Sequence, residues 1–95
     1  MTVSMIQFVF ELPEVENIKD KRRIVKSFKE KIIKKFNVTA AEVDLQDSLR
    51  FTQIGAAVVS NSATYGEKVM QKILSFAEDE VPGRLHDVEI YSESY

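Results

Sequence analysis

Four stretches with period-two alternation and two with helical periodicity follow one another in the order β-α-β-β-α-β. That order predicts an α+β fold, a ferredoxin-like plait in which two helices lie on one face of a four-stranded antiparallel sheet. Two crossover units give an expected spatial strand order of 4-1-3-2. The first and third strands, which are the most apolar, then fall in the centre. A chain of 95 residues has room for one domain with a two-layer core, taken as residues 1–95.

The first strand is expected over residues 3–12. Ile6, Phe8, Phe10 and Leu12 share one face and Met5, Gln7, Val9 and Glu11 the other, and Pro13 ends the strand because it has no N–H to donate. Asn17 is a fitting N-cap for a helix that runs to Phe36, and Asp20 stands favourably near the positive end of its dipole. Ile18, Ile24, Val25, Phe28, Ile32 and Phe36 gather on one side of this helix. Lys21 falls near that apolar side, where the expectation is a buried stem and a wet ammonium group. Lys34 and Lys35 complement the negative helix end, and Asn37 suits the left-handed position beyond it.

Residues 38–46 alternate again, with Ala41, Val43 and Leu45 expected toward the helices and Ala40, Glu42, Asp44 and Gln46 on the open side. After a short polar connection, residues 51–60 form the third strand, with Ile54, Ala56 and Val58 inward and Gly55, Ala57 and Val59 outward. Asn61 or Ser62 caps a second helix, expected from Ala63 to Ala77. Glu78, Asp79 and Glu80 oppose the dipole there and predict fraying. The Val81-Pro82-Gly83 turn leads to a last strand over residues 84–92, with Val88 and Ile90 inward.

Charge is unevenly spread. Residues 17–36 hold nine of the 13 Lys and Arg residues against Asp20 and Glu30, so this segment is about +7 within a chain of net charge −2. Lys19, Arg22, Arg23, Lys26, Lys29 and Lys34 lie across the side opposite the apolar stripe. They are the candidate contacts for RNA or another acidic partner, because each phosphate neutralised adds salt-dependent affinity. The acidic remainder of the chain argues against a free nucleic-acid binder, which is usually net basic. A solvated outer face is the structural alternative.

The open sheet face gathers Met5, Gln7, Val9, Ala57, Val59 and Tyr91, apolar at its centre and flanked by charge. Such a patch is the expected face of a homodimer. The third strand lacks the paired aromatics and the signature of an RNA-recognition motif, so base stacking on the sheet is not expected. Glu42, Asp44, Gln46, Asp47 and Arg50 form a polar cluster from which acid–base chemistry or a divalent-ion site would have to come; two carboxylates two apart on a strand share a face. A charged edge strand that resists aggregation is the simpler reading of the same residues.

Other classes are excluded. The chain has no cysteine, hence no disulfide, thiolate site or thiol nucleophile, and its single histidine, His86, argues against a multi-histidine metal site. There is no phosphate-cradling glycine-rich loop or dinucleotide fingerprint, so no cofactor is expected. No apolar run reaches the length of a membrane span and no signal-peptide pattern opens the chain, which leads to an expected cytoplasmic location and no membrane partner. These features point to a non-enzymatic binding protein.

Three stretches carry a family resemblance: IKDKRRIVKSF in the first helix, FNV-x-A-A-E-V-D-x-Q-D from Phe36 to Asp47, and IGAAVVSN from Ile54 to Asn61. In order and spacing they resemble the YlxP-like family, small bacterial proteins classed as a domain of unknown function. The resemblance implies a ferredoxin-like fold but no established reaction or ligand. Family genes often neighbour those of translation initiation and ribosome maturation, which implies a role near the ribosome. Where the family often carries a histidine, this chain has Leu45. The expected function is therefore contact with ribosomal RNA or a ribosome-associated assembly through the basic helix, the alternatives being an interaction module for an acidic protein and, behind it, a small-ligand or metal-dependent enzyme using Glu42, Asp44 and Asp47.

Overall fold

The computed structural model describes residues 1–95. Its elements are β1 (Thr2–Glu11), α1 (Ile18–Phe36), β2 (Thr39–Asp44), β3 (Phe51–Ser60), α2 (Ala63–Glu80) and β4 (Arg84–Ser94). All strand pairs are antiparallel, and the sheet order is β2-β3-β1-β4, the expected plait.

The alternation of β1 decides how the sheet is used. Thr2, Ser4, Ile6, Phe8 and Phe10 are buried beneath the helices, while the residues between them are half-buried on the other face. Ile6, Phe8 and Phe10 join Ile54 and Ala56 of β3, Val25, Phe28 and Ile32 of α1, and Met70, Ile73 and Ala77 of α2 in one core. The rings of Phe8, Phe10 and Phe28 meet edge to face at centroid distances of 5.0 to 6.0 Å, an arrangement that adds about 0.5–1.5 kcal/mol per pair beyond area burial.

Local chemistry sets the helix ends. The Asn17 side chain accepts the Asp20 N–H at 2.9 Å, and Asn37 takes the left-handed conformation (φ 54°) while its N–H reaches the Ile33 carbonyl. Ser62 caps α2 by accepting the Tyr65 N–H at 3.2 Å. The expected fraying after Ala77 does not occur. The helix continues through Glu80, whose carboxylate receives Lys31 of α1 at 2.7 Å, and Val81 closes it with a bond to the Ala77 carbonyl. An inter-helix ion pair offsets the unfavourable dipole.

The facing of β2 also departs from expectation. Ala40 pairs with Ala56 and Glu42 with Ile54, so Ala40 and Glu42 lie on the helix side and Ala41, opposite Gly55, lies on the open side. A register shift between Glu42 and Asp44 then breaks the alternation. Glu42 and Asp44 consequently do not share a face, and β2 ends at Asp44 rather than Gln46. Glu42 turns inward because a buried cation waits there.

Gly66 lets α2 approach β1. A Cβ at this position would sit 2.6 Å from Ser4 Cβ and closer still to its hydroxyl, which is itself bonded to Ser92 Oγ at 2.7 Å. Gly66→Ala should therefore lower stability by about 1–3 kcal/mol in urea unfolding, despite the helix propensity it gains. The loss should be smaller than additive when combined with Ser4→Gly.

Candidate functional site

On α1, the residues that do not enter the core form the basic face. Lys19, Arg22, Arg23, Lys26 and Lys34 are exposed and Lys29 is half-buried. The ion pairs of the structure engage Lys21, Lys31, Arg50 and His86; none of the six face cations has a carboxylate within 4.0 Å. From Lys19 to Lys34 the face runs about 22 Å along the helix.

Beneath the first turns of the same helix, Lys21 is 1% exposed rather than snorkelling. Its ammonium donates to the carbonyls of Leu45 (2.5 Å) and Phe51 (2.9 Å) and pairs with Glu42 Oε2 at 3.1 Å. These three shortest contacts match the three protons of an ammonium group, with the Gln46 carbonyl further off at 3.4 Å. Thr52 Oγ1 donates to the same Glu42 oxygen at 2.5 Å, and no buried polar side-chain atom is left without a partner. Leu45 is held in the left-handed region (φ 64°), a conformation that costs a non-glycine residue on the order of 1–2 kcal/mol. Its carbonyl is the one that Lys21 grips.

The remaining polar-cluster residues are not brought together into one site. The Asp44 carboxylate accepts its neighbour's N–H at Leu45, the Gln46 carbonyl lies 3.4 Å from Lys21 Nζ, and Asp47 is exposed in the turn. Arg50 instead reaches Glu11 through Nε (3.0 Å) and Nη2 (2.8 Å). No three His, Asp or Glu side chains are grouped as a metal site would require. His86 meets the other Glu11 oxygen at 2.8 Å. First the His86 hydrogen bond and then those of Arg50 hold the Glu11 carboxyl below its ordinary value of 4.5.

The open face assembles the expected residues in register. Met5 lies between Ala57 on β3 and Tyr91 on β4, Gln7 between Gly55 and Glu89, and Val9 between Gln53 and Asp87, while Val59 pairs with Val3 at the far end. Ala41 and Val43, read from sequence as inward, belong to this face, where Val43 packs over Gly55. Phe51 also belongs to it by parity and was not among the outward residues expected of the third strand. Its ring is already engaged, with the Arg50 guanidinium 5.3 Å from its centroid and the His86 ring at 5.7 Å.

Residues 3–90 match a family described as a protein of unknown function, DUF503. The chain is also 36% identical over 62 residues to the uncharacterised protein YlxP of Bacillus subtilis (strain 168), an alignment that covers 65% of this chain and 67% of that protein.

Two outcomes follow from this geometry. Lys21→Met leaves Glu42 and the carbonyls of Leu45, Gln46 and Phe51 without their cation and should cost about 3–5 kcal/mol in denaturant unfolding, part of it recovered by adding Glu42→Gln. Because the Glu11 pKa is depressed on folding, the stability it contributes is fully present above about 4.5 and drains as pH falls through the lower folded value. Glu11→Gln should make the acid limb of a stability–pH curve shallower, and an unchanged limb would contradict the contact.

Proposed function

Since the chain belongs to the DUF503 family, whose description assigns no activity, we propose from its own surface that it is a non-enzymatic binding protein that docks α1 onto RNA phosphates, with ribosomal RNA or a ribosome-associated assembly as its target. The observation that carries this reading is the set of six cations on one helix face with no acidic partner within the protein. Two acids of the helix are spaced for such pairs, Asp20 three residues before Arg23 and Glu30 four residues from Lys26 and Lys34, yet neither carboxylate comes within 4.0 Å of a face cation.

The acids of the open sheet face assist the docking by orienting it. The acids of β4 (Asp87, Glu89 and Glu93) are carried by the sheet, and the helix layer lies on the sheet's other side. A polyanion is repelled by one side and attracted to the other, so an encounter is turned toward α1. Lysine and arginine on a rigid helix bind phosphate without reading base identity, which fits a target recognised by the position of its backbone.

Reversing Arg22, Arg23 and Lys26 to Glu touches no core contact and should leave the fold intact by circular dichroism. It should abolish co-sedimentation with ribosomes and reduce the salt slope of RNA binding by about 2–3. Unchanged co-sedimentation would overturn the proposal. So would capture of a protein partner that survives nuclease treatment and is lost in the same variant, because the face would then be serving an acidic protein.

A further inference from the structure

The open sheet face presents a shallow groove of about 260 Å³ between β2, β3 and β1. Gly55 and Ala57 floor it, and Met5 and Val43 stand at its sides. Val43 is 47% exposed and Val59 63%, so the face holds large apolar side chains open to water. Across the sheet from the groove stands Tyr91, in the same transverse row as Met5, Ala57 and Thr39.

We propose that this face packs against the same face of a second copy of the chain, about a two-fold axis that runs along the strands between β1 and β3, so that Tyr91 of each copy enters the groove of the other.

Area and charge both select this occupant. Three strands of ten or eleven residues and one of six, spaced about 4.8 Å apart with a rise of about 3.3 Å per residue, offer just under about 600 Å² per copy, or roughly 1,200 Å² for a pair, at the lower edge of the range of specific stable interfaces. The central amides are already paired, Gln53 Nε2 donating to Gln7 Oε1 at 2.9 Å, so burying them strands fewer polar groups. The face carries Asp87, Glu89 and Glu93 on β4, while Thr39, Ala41 and Val43 on the opposite side of the sheet are uncharged. An axis across the strands would lay each β4 over its own copy and bring these acids together. An axis along the strands lays β4 over the uncharged Thr39, Ala41 and Val43 of β2 and places the aromatic ring over the groove. The like-charge approach it leaves, Asp87 toward Asp44, falls at the strand ends on the wet rim, where aligned sheets crossing at about −30° diverge. Both basic helices then point outward on opposite sides of the pair.

The proposal does not depend on what α1 binds, and its test is separate. Analytical ultracentrifugation of the full chain should show a dimer, and Tyr91→Ala should weaken it at least about 30-fold with the urea midpoint little changed. The chain has no cysteine, so single-cysteine variants report the geometry. The row Ala41, Gly55, Gln7, Glu89 places Glu89 over Ala41 of the second copy. A mixture of Glu89→Cys and Ala41→Cys should therefore be joined by a short bismaleimide, and neither variant should be joined to itself. A monomer at all concentrations, a dimer indifferent to Tyr91→Ala, a Glu89→Cys self-cross-link, or a dimer in which the mixture fails to cross-link would each overturn it.

Discussion

The Lys21 ammonium, buried between α1 and the β2–β3 turn, is the contact on which the rest of the arrangement depends. It stands on the apolar stripe of its helix with Val25, Phe28 and Ile32, so it can only point into the protein. Its acceptors come from the end of β2, the turn and the start of β3. One side chain therefore fixes the helix to the hairpin, turns Glu42 inward and holds Leu45 in its left-handed conformation. Ion pairs buried this deeply are weak evidence of net stability, since desolvation of both charges opposes their attraction. What this one supplies is position. With Lys21 committed inward, α1 is locked in rotation and its other cations face solvent.

That lock separates the molecule into two sides with different chemistry. The helix side closes over aromatic and aliphatic residues and turns a row of cations outward. The sheet side keeps small and apolar residues at its centre and carboxylates along β4. Each strand serves both sides because its residues alternate, and Gly55 and Gly66 mark points of close approach on opposite faces. The cations are concentrated on α1 while the acids are spread over β4, the loops and α2, which is why a net charge of −2 is compatible with a strongly basic helix face.

Much of the fold was legible in the sequence because its signals are local. Asn17, Asn37 and Ser62 act within one turn of their own position, and the alternation of β1 and β3 is strong enough to identify the core face unaided. The facing of β2 was not legible in the same way. Ala40 and Ala41 fit either side equally well, and Val43 argues for the wrong parity when taken alone. The deciding partner is Lys21, about twenty residues earlier, and the available signal was a lysine on an apolar helix stripe together with a glutamate in a strand. The end of α2 was misjudged for a similar reason, since Glu80 is unfavourable within its own helix and favourable once Lys31 lies beside it.

The candidate site divides along the same line. The exposure of five of the six cations on the candidate face of α1, Lys29 alone being half-buried, follows from helical periodicity, whereas the Glu42-to-Arg50 polar cluster is dispersed by a bulge and by partners that only the tertiary fold supplies. The most direct measurement of the central claim, that α1 binds a polyanion through its unpaired cations, is the affinity of the unmodified protein for ribosomal RNA as a function of salt. Three to five phosphate contacts predict that log K falls against log salt with a slope of about −2 to −5. A slope near zero, or no binding at low salt, would contradict the account.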